Sequence, residues 1–504
     1  MRQLALPSRF LASALAVLLL GACAKAKPGQ TPGTAGSRPA PLSPSAPTPL
    51  AVLATDLDAL IDRPGHQRAT WGISVRSLRT GERLYVRNAG TLLVPASALK
   101  IATATAAVAA VGWDFAFTTT VEAAGAIEAG VLRGDLVLRG TGDPSTLGEG
   151  GPDIVAALVD ALRQRGVTRI EGRVIADDSG VEEPRPGLAW SWDDLGTATG
   201  ALTGALNATE NVARIVVGPG PTAGAIPRIE PLADDLEMAI ANGGLTGAPG
   251  TPRTLWVERR PGEAALTLAG SIAVDAAPVT LIVSVGNPTA WVARLVRARL
   301  IAAGIAVDGS ALDADGLETV PTGERLVSLS SRPLRELVRP MLKRSVNVYG
   351  EAIVRLAAGP DSAREMAAAG AAIRGRLREW GVGEDAVRIA DGSGLSRFNL
   401  STADALTGIL AAAWDGGASP LVGALPVAGV DGTLAERMKG TVAAGNVRAK
   451  TGTMTHVRSL AGYVTTADGE PLAFAIIANN FEGPAAGVTA TIDAIATRLA
   501  GLRR

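Results

Sequence analysis

Hydrophobic and polar positions change period several times along the chain, and those changes divide it. A helical pattern over Leu53 to Ile61 leads into two strand-like runs, Thr70 to Leu78 and Arg83 to Val86, with Arg79-Thr80-Gly81-Glu82 as the turn of a hairpin. The same grammar returns near the carboxyl end. Leu460 to Val464, a turn at Ala467-Asp468-Gly469-Glu470, and Leu472 to Asn479 precede a terminal helix over about Ala486 to Leu502. The two ends are expected to build one antiparallel sheet. Between them, short strand candidates (Leu136 to Leu138, Arg169 to Ala176, Thr254 to Glu258, Ala265 to Leu268, Val279 to Val285) alternate with amphipathic runs that stop at Gly166 and Gly304. No repeat of fixed period runs through this stretch. The pattern predicts one α+β domain split by a mixed α/β insertion.

The first residues read as an address. Arg2 and Arg9 precede an apolar run, Phe10 to Leu20, which has the length of a signal-peptide core and is too short to span a bilayer. It ends Leu20-Gly21-Ala22-Cys23, which resembles the lipobox of bacterial lipoproteins; the resemblance implies cleavage before Cys23 and a diacylglyceryl group on its thiol. An ordinary secretory cleavage site with a coincidental cysteine is the alternative. Residues 24–50 are rich in Pro, Ala, Ser and Thr and have too few large apolar side chains to offset the ordering entropy of a fold, so they are expected to be a tether.

Composition removes several classes of chemistry. With 47% hydrophobic and 19% charged residues in 504, the chain can bury a large core, built from Ala, Val, Leu and Ile because only 3% is aromatic. A formal net charge of +0 argues against a nucleic-acid partner. Cys23 is the single cysteine, so neither an internal disulfide nor a cysteine metal cluster can form. His66 and His456 are the two histidines, without a His-Glu-x-x-His pattern, so a zinc hydrolase is not expected. A Ser-His-Asp triad would need one of those two, and His456 reads better as a strand or loop residue. No metal and no cofactor are expected. Lysine is scarce beside arginine: Lys25, Lys27, Lys100, Lys343, Lys439 and Lys450 are all there are.

Ser97-Ala98-Leu99-Lys100 opens a run of small apolar residues, Ile101 to Val111, that predicts a buried helix. Residues i and i+3 share a helix face, which puts the Lys100 amine over the Ser97 hydroxyl. A buried lysine can lose its proton near neutral pH and then accept one from serine, which arginine cannot do. A capping serine beside a solvated lysine would show the same spacing. Ser345-Val346-Asn347 precedes a helical pattern over Tyr349 to Ala357; on its own Ser345 could be a helix N-cap and Asn347 a loop residue. Lys450-Thr451-Gly452-Thr453 precedes the strand at Leu460 and could be an ordinary charged strand start.

Taken in this order, Ser-x-x-Lys, Ser-x-Asn and Lys-Thr-Gly form the signature of penicillin-recognising serine enzymes. The long gap from Ser97 to Ser345, together with Asp391-Gly392-Ser393-Gly394-Leu395-Ser396-Arg397, Leu425 to Leu434 and Gly134 to Pro144, resembles the D-alanyl-D-alanine carboxypeptidase/endopeptidase family of class C penicillin-binding proteins over residues 51–500. The resemblance implies a transpeptidase/β-lactamase-like domain, an antiparallel sheet flanked by helices, in two parts (51–118 and 321–504) around two small inserted domains (119–320). It implies that Ser97 is the nucleophile, Lys100 its base and Ser345 a proton relay. Lys450, Thr451, Gly452 and Thr453 would hold substrate, Asn347 would hydrogen-bond the substrate amide or orient Lys100, and the N–H groups of Ser97 and Thr453 would form an oxyanion hole. Peptidoglycan stem peptides and β-lactams are the expected partners, in a bacterial envelope, periplasm-facing and lipid-anchored through Cys23. A β-lactamase or esterase, and an idle peptidoglycan-binding scaffold, are the rivals. Val346 departs from the polar residue common at that place in the family, and Asp391 to Gly394 could be no more than a tight turn.

Overall fold

The two ends of the chain meet in one sheet. A computed structural model describes residues 48–181, 186–230, 238–260, 262–263, 265–359, 365–417 and 419–504. The expected signal peptide, Cys23 and nearly all of the tether lie outside those residues. The sheet has five strands in the order Arg83–Arg87, Thr70–Ser77, Pro471–Asn479, Val457–Thr465, Arg448–Met454, every neighbour antiparallel. Thr70–Ser77 is paired along its length with Pro471–Asn479, from Thr70 opposite Asn479 to Ser77 opposite Leu472. This pairing makes the amino-terminal hairpin and the carboxyl-terminal meander one element.

Side-chain alternation assigns the two faces. Along Pro471–Asn479, Leu472, Phe474, Ile476 and Ala478 enter one core, whereas Ala473, Ala475 and Ile477 enter the other. The larger residues meet the Pro49–Ile61 and Ala485–Ala500 helices. The face of small residues admits the Ala403–Asp415 helix and the Ala96–Leu99 turn close to the strands, and Ala102, Ala104, Ala106 and Ala107 of the Lys100–Val111 helix are fully buried in the same core. A strand buried on both faces reads as a continuous apolar run, which is why Leu472 to Ala478 shows no polar alternation.

The intervening residues build a core of their own. Its main sheet centres on the Thr118–Glu128 and Val131–Gly140 hairpin, with short parallel strands on one side and Glu324–Ser330 antiparallel on the other. That last strand lies beyond the expected boundary at residue 320, because it completes the backbone pairing of Thr118–Glu128. The expected single strand Arg169 to Ala176 is instead two, Arg169–Ile170 and Val174–Asp177. Between them the Asp135 carboxylate takes the Arg173 N–H at 2.7 Å, and Gly172 lies so near the Gly134 carbonyl that a Cβ would come within 2.2 Å of it. Among the described residues its α-helices are Ile154–Gln164 and Pro288–Ala302, both capped at the N-terminus by a side chain, Asp153 and Asn287. Among the described residues no helix is long and apolar enough to cross a membrane.

Phe474, fully buried in the strand that joins the two ends, supports the sheet most directly. Phe474→Ala is expected to destabilise the protein by about 3–5 kcal/mol, read as a lowered denaturant midpoint. A shift below about 1 kcal/mol would show that the sheet does not depend on this face.

Candidate active site

Pro95 to Val111 forms one continuous piece, a 3-10 turn over Ala96–Leu99 running into the Lys100–Val111 helix. Ser97 therefore sits in the turn, ahead of the helix proper, and the i, i+3 spacing still stacks the pair: Lys100 Nζ lies 2.9 Å from Ser97 Oγ. Ala96, just before the serine, has φ +47°, a left-handed conformation that costs a non-glycine residue of order 1 kcal/mol. The surroundings hold it there. Ser459 Oγ donates to the Pro95 carbonyl at 2.6 Å, and the Gly452 backbone lies against the same turn. A Cβ on Gly452 would stand 2.5 Å from the Pro95 oxygen and 2.1 Å from Ser459 Oγ, so glycine is what lets the Lys-Thr-Gly strand touch the serine turn.

Lys100 is fully buried, and three oxygens surround its amine: Ser97 Oγ, Asn347 Oδ1 at 2.7 Å and the Ser393 carbonyl at 2.6 Å. A neutral amine has two hydrogens and one lone pair. Donating to Asn347 and Ser393 would leave the lone pair facing the serine hydroxyl. Burial pushes the Lys100 amine down to about 7, with the Asp391 and Glu351 carboxylates acting the other way. Lys450, equally buried, donates to Ser345 Oγ at 2.8 Å and to the Thr451 carbonyl at 2.8 Å. Burial and then the Lys100 charge hold Lys450 well below the ordinary lysine range.

Ser345 is not a helix cap: it adopts φ +65°, Val346 occupies the cap position, and Asn347 is the first residue of the Asn347–Arg355 helix rather than a loop residue. The bend is pinned from outside. Lys343 Nζ bonds both Asp431 carboxylate oxygens at 2.6 and 2.7 Å, Asp431 also accepts the Val427 N–H at 2.9 Å, and Gly432 packs on the Lys343 carbonyl. Thr451 Oγ1 then donates to Thr433 Oγ1 at 2.8 Å.

Asp391 to Gly394 is more than a tight turn. The Asp391 carboxylate accepts from Gly394 N, Ser396 N, Asn399 Nδ2 and Trp190 Nε1, and this cage aims the Ser393 carbonyl at Lys100. Four contributors carry no motif of their own in the sequence: the Ser393 carbonyl, the Lys343–Asp431 latch, Thr433, and the Thr199 carbonyl, which accepts from Asn347 Nδ2 at 2.7 Å. Main-chain carbonyls leave no residue signature. Asp431 and Thr433 lay within the Leu425 to Leu434 segment that carried the family resemblance, without a role attached. His456 stands in the turn between two strands, its Nδ1 2.9 Å from the Phe481 carbonyl, and His66 packs on Trp71.

Ser97, Ser345, Asn347, Thr451 and Thr453 line one cleft of about 470 Å³. Ala198, Thr199 and Glu210 from the inserted region form its opposite wall. The Arg448–Met454 strand, at the end of the sheet, is bridged at its start by Val427 opposite Arg448 and borders the cleft with Thr451, Thr453 and Met454.

Residues 53–501 match the model of the D-Ala-D-Ala carboxypeptidase 3 (S13) family. The chain is 37% identical over 481 residues to the D-alanyl-D-alanine carboxypeptidase of Actinomadura sp. (strain R39), covering 90% of this chain and 85% of that one. It is 28% identical over 422 residues to D-alanyl-D-alanine carboxypeptidase DacB of Haemophilus influenzae, covering 81% and 85%. The crystal structure of penicillin binding protein 4 (dacB) from Haemophilus influenzae superposes with a TM-score of 0.78 at 25% identity, over 89% of this chain and 99% of that one.

The state of the two buried lysines is measurable by NMR of protein labelled at lysine Cε, assigned with Lys100→Met and Lys450→Met. Lys100 is expected to titrate near pH 7 and Lys450 well below the usual value of about 10.4. A Lys100 amine still charged at pH 9 would remove it as a base.

Proposed function

The chain belongs to the D-Ala-D-Ala carboxypeptidase 3 (S13) family, and on that premise we propose that it is a serine D-Ala-D-Ala carboxypeptidase of peptidoglycan stem peptides, working through an acyl-enzyme on Ser97. One observation supports this above the rest: a fully buried lysine amine 2.9 Å from a serine hydroxyl that opens on a cleft. Such an amine is neutral often enough near pH 7 to take the hydroxyl proton as the oxygen attacks.

In this reading, the Ser97 oxygen adds to the carbonyl of the penultimate D-alanine while its proton passes to Lys100. The negative charge that develops on the carbonyl oxygen is met by the N–H groups of Ser97 and Thr453, each worth on the order of 10²–10³ in rate. The C–N bond then breaks, and the departing D-alanine amine takes its proton through Ser345, whose hydroxyl Lys450 holds. Ser345 regains its proton from the lysine pair, which returns Lys100 to the neutral amine; Lys100 then takes a proton from the water that attacks the ester and passes it to the Ser97 oxygen as the serine leaves. Burial and the Lys100 charge hold Lys450 below the ordinary lysine range, and a substrate carboxylate beside it would supply the countercharge that restores its positive form. Thr451 and Thr453 add hydroxyl contacts. Asn347 holds Lys100 through its Oδ1, its amide fixed by Thr199. The same transfer opens a D,D-crosslink when the leaving amine belongs to a neighbouring stem peptide. β-Lactams acylate the same serine.

For its place in the cell, the lipobox-like Leu20 to Cys23 and the Pro-rich tether support a lipid-anchored, envelope-facing enzyme. In cells producing the full chain, Cys23→Ala is expected to move the protein from the detergent phase to the aqueous phase; unchanged partitioning would remove the anchor.

Fluorescent penicillin followed by peptide mass mapping tests the nucleophile. A stable adduct on Ser97, absent from Ser97→Ala, is expected, and Lys100→Arg should slow acylation by about 10²–10⁴-fold because arginine does not give up its proton. A folded protein that forms no adduct would point to an idle scaffold, and rapid release of hydrolysed penicillin to a β-lactamase.

A further inference from the structure

Glu351 lies one helical turn beyond Asn347 on the Asn347–Arg355 helix and is almost completely buried. No motif calls for a carboxylate there. Its Oε1 accepts the Ser393 N–H at 2.8 Å and its Oε2 the Gly392 N–H at 3.3 Å. On the other side of this short segment, the Ser393 carbonyl accepts from Lys100 and the Gly392 carbonyl accepts from Thr103 Oγ1 at 2.7 Å. The Gly392–Ser393 backbone is thus clamped between the helix that carries Lys100 and the helix that carries Asn347. Two glycines make the clamp possible. A Cβ on Gly392 would stand 2.2 Å from the Gly350 carbonyl, and one on Gly350 would stand 2.9 Å from the Ser393 Cα.

We propose that Glu351 is a positioning residue of the acylation step: it anchors the Gly392–Ser393 peptides so that the Ser393 carbonyl fixes the Lys100 amine against Ser97, and it couples its own charge to the proton on that amine. This rests on Lys100 being the base. Two physical effects act along the line. An anion bound at the Ser393 N–H polarises that peptide and strengthens the Gly392 carbonyl, which accepts from Thr103 on the helix that carries Lys100. A carboxylate in a dry interior also favours the ammonium form of a nearby lysine. The charged groups around the pair are Asp391 in the same loop, Arg355 on the Glu351 helix, and Lys450 beside Lys100. Burial, and then the Asp391 charge, push the Glu351 carboxyl up, towards the pH range in which Lys100 titrates.

The test is the pH profile of Ser97 acylation by a fluorescent penicillin, from pH 5.5 to 9, in wild type, Glu351→Gln and Glu351→Asp, with thermal melting as the fold control. In Glu351→Gln the charge is gone while the shape is kept, so Lys100 holds its proton less tightly. The acid limb is expected to move down by about half to one pH unit, with a lower plateau. In Glu351→Asp the charge stays but the reach is one methylene shorter. The limb is then expected near its wild-type position, with the plateau down about 10-fold. A purely structural residue would lower acylation equally at every pH. A folded Glu351→Gln protein with an unmoved limb overturns the coupling, and a Glu351→Asp protein with the wild-type plateau overturns the positioning, also if Glu351→Gln does not fold. A wild-type protein that forms no Ser97 adduct overturns the reading beneath instead.

Discussion

A lysine amine taken out of water must find an oxygen for every hydrogen it donates, since each polar group left unpaired in a protein interior costs of order 1–3 kcal/mol. Lys100 meets that demand with oxygens from three separate segments: Ser97 in its own turn, Asn347 in a later helix, and Ser393 in a loop. These segments must converge on a single point. The Ala-rich face of the Lys100–Val111 helix, the glycines at 350, 392, 394 and 452, and the left-handed residues Ala96 and Ser345 are the local means by which they do so. The second buried lysine tightens the constraint. With Lys100 and Lys450 in one dry site, each charge disfavours the other, and protonation becomes a property of the pair.

The inserted region takes part in the same arrangement. The Thr199 carbonyl accepts from Asn347 Nδ2, which leaves Oδ1 as the atom that faces Lys100. Trp190 donates to Asp391, and Ser396 donates to the Leu188 carbonyl, so the loop that carries Ser393 is held from the inserted side as well. Thr209, Glu210 and Asn211 all have positive φ at the cleft wall, where Glu210 pairs with Arg344 at 2.5 Å. That ion pair is half exposed and contributes little energy by itself. The strain is supported by the buried Asn207 and Asn211 side chains, which close hydrogen bonds around the turn. The cleft is therefore walled by parts far apart in the chain.

Much of this was legible because short-range chemistry has short-range geometry. The i, i+3 relation of Ser97 and Lys100 survives even though the serine sits in a 3-10 turn, since both helix types bring those positions to one side. Alternation at Trp71, Ile73 and Val75 and the continuous apolar run Leu472 to Ala478 exposed the strands at the two ends, and the signals at Gly166 and Gly304 ended the two inserted helices near the right place. What failed was context. Gly172 against Gly134 splits a strand that propensity alone would join, and Val346, read as a departure from the family, proves to be the residue at the start of a helix whose cap makes no side-chain bond.

The sequence by itself determined the α+β class, the three motifs and their order, and the family, because hydrophobic period and residue chemistry are written locally. Only the tertiary structure decided which carbonyls fill the shell of Lys100, which way the Asn347 amide faces, and that Glu351 reaches the backbone behind Lys100. Those facts rest on main-chain atoms, which every residue shares, and on close approaches between segments hundreds of residues apart, which no local pattern encodes.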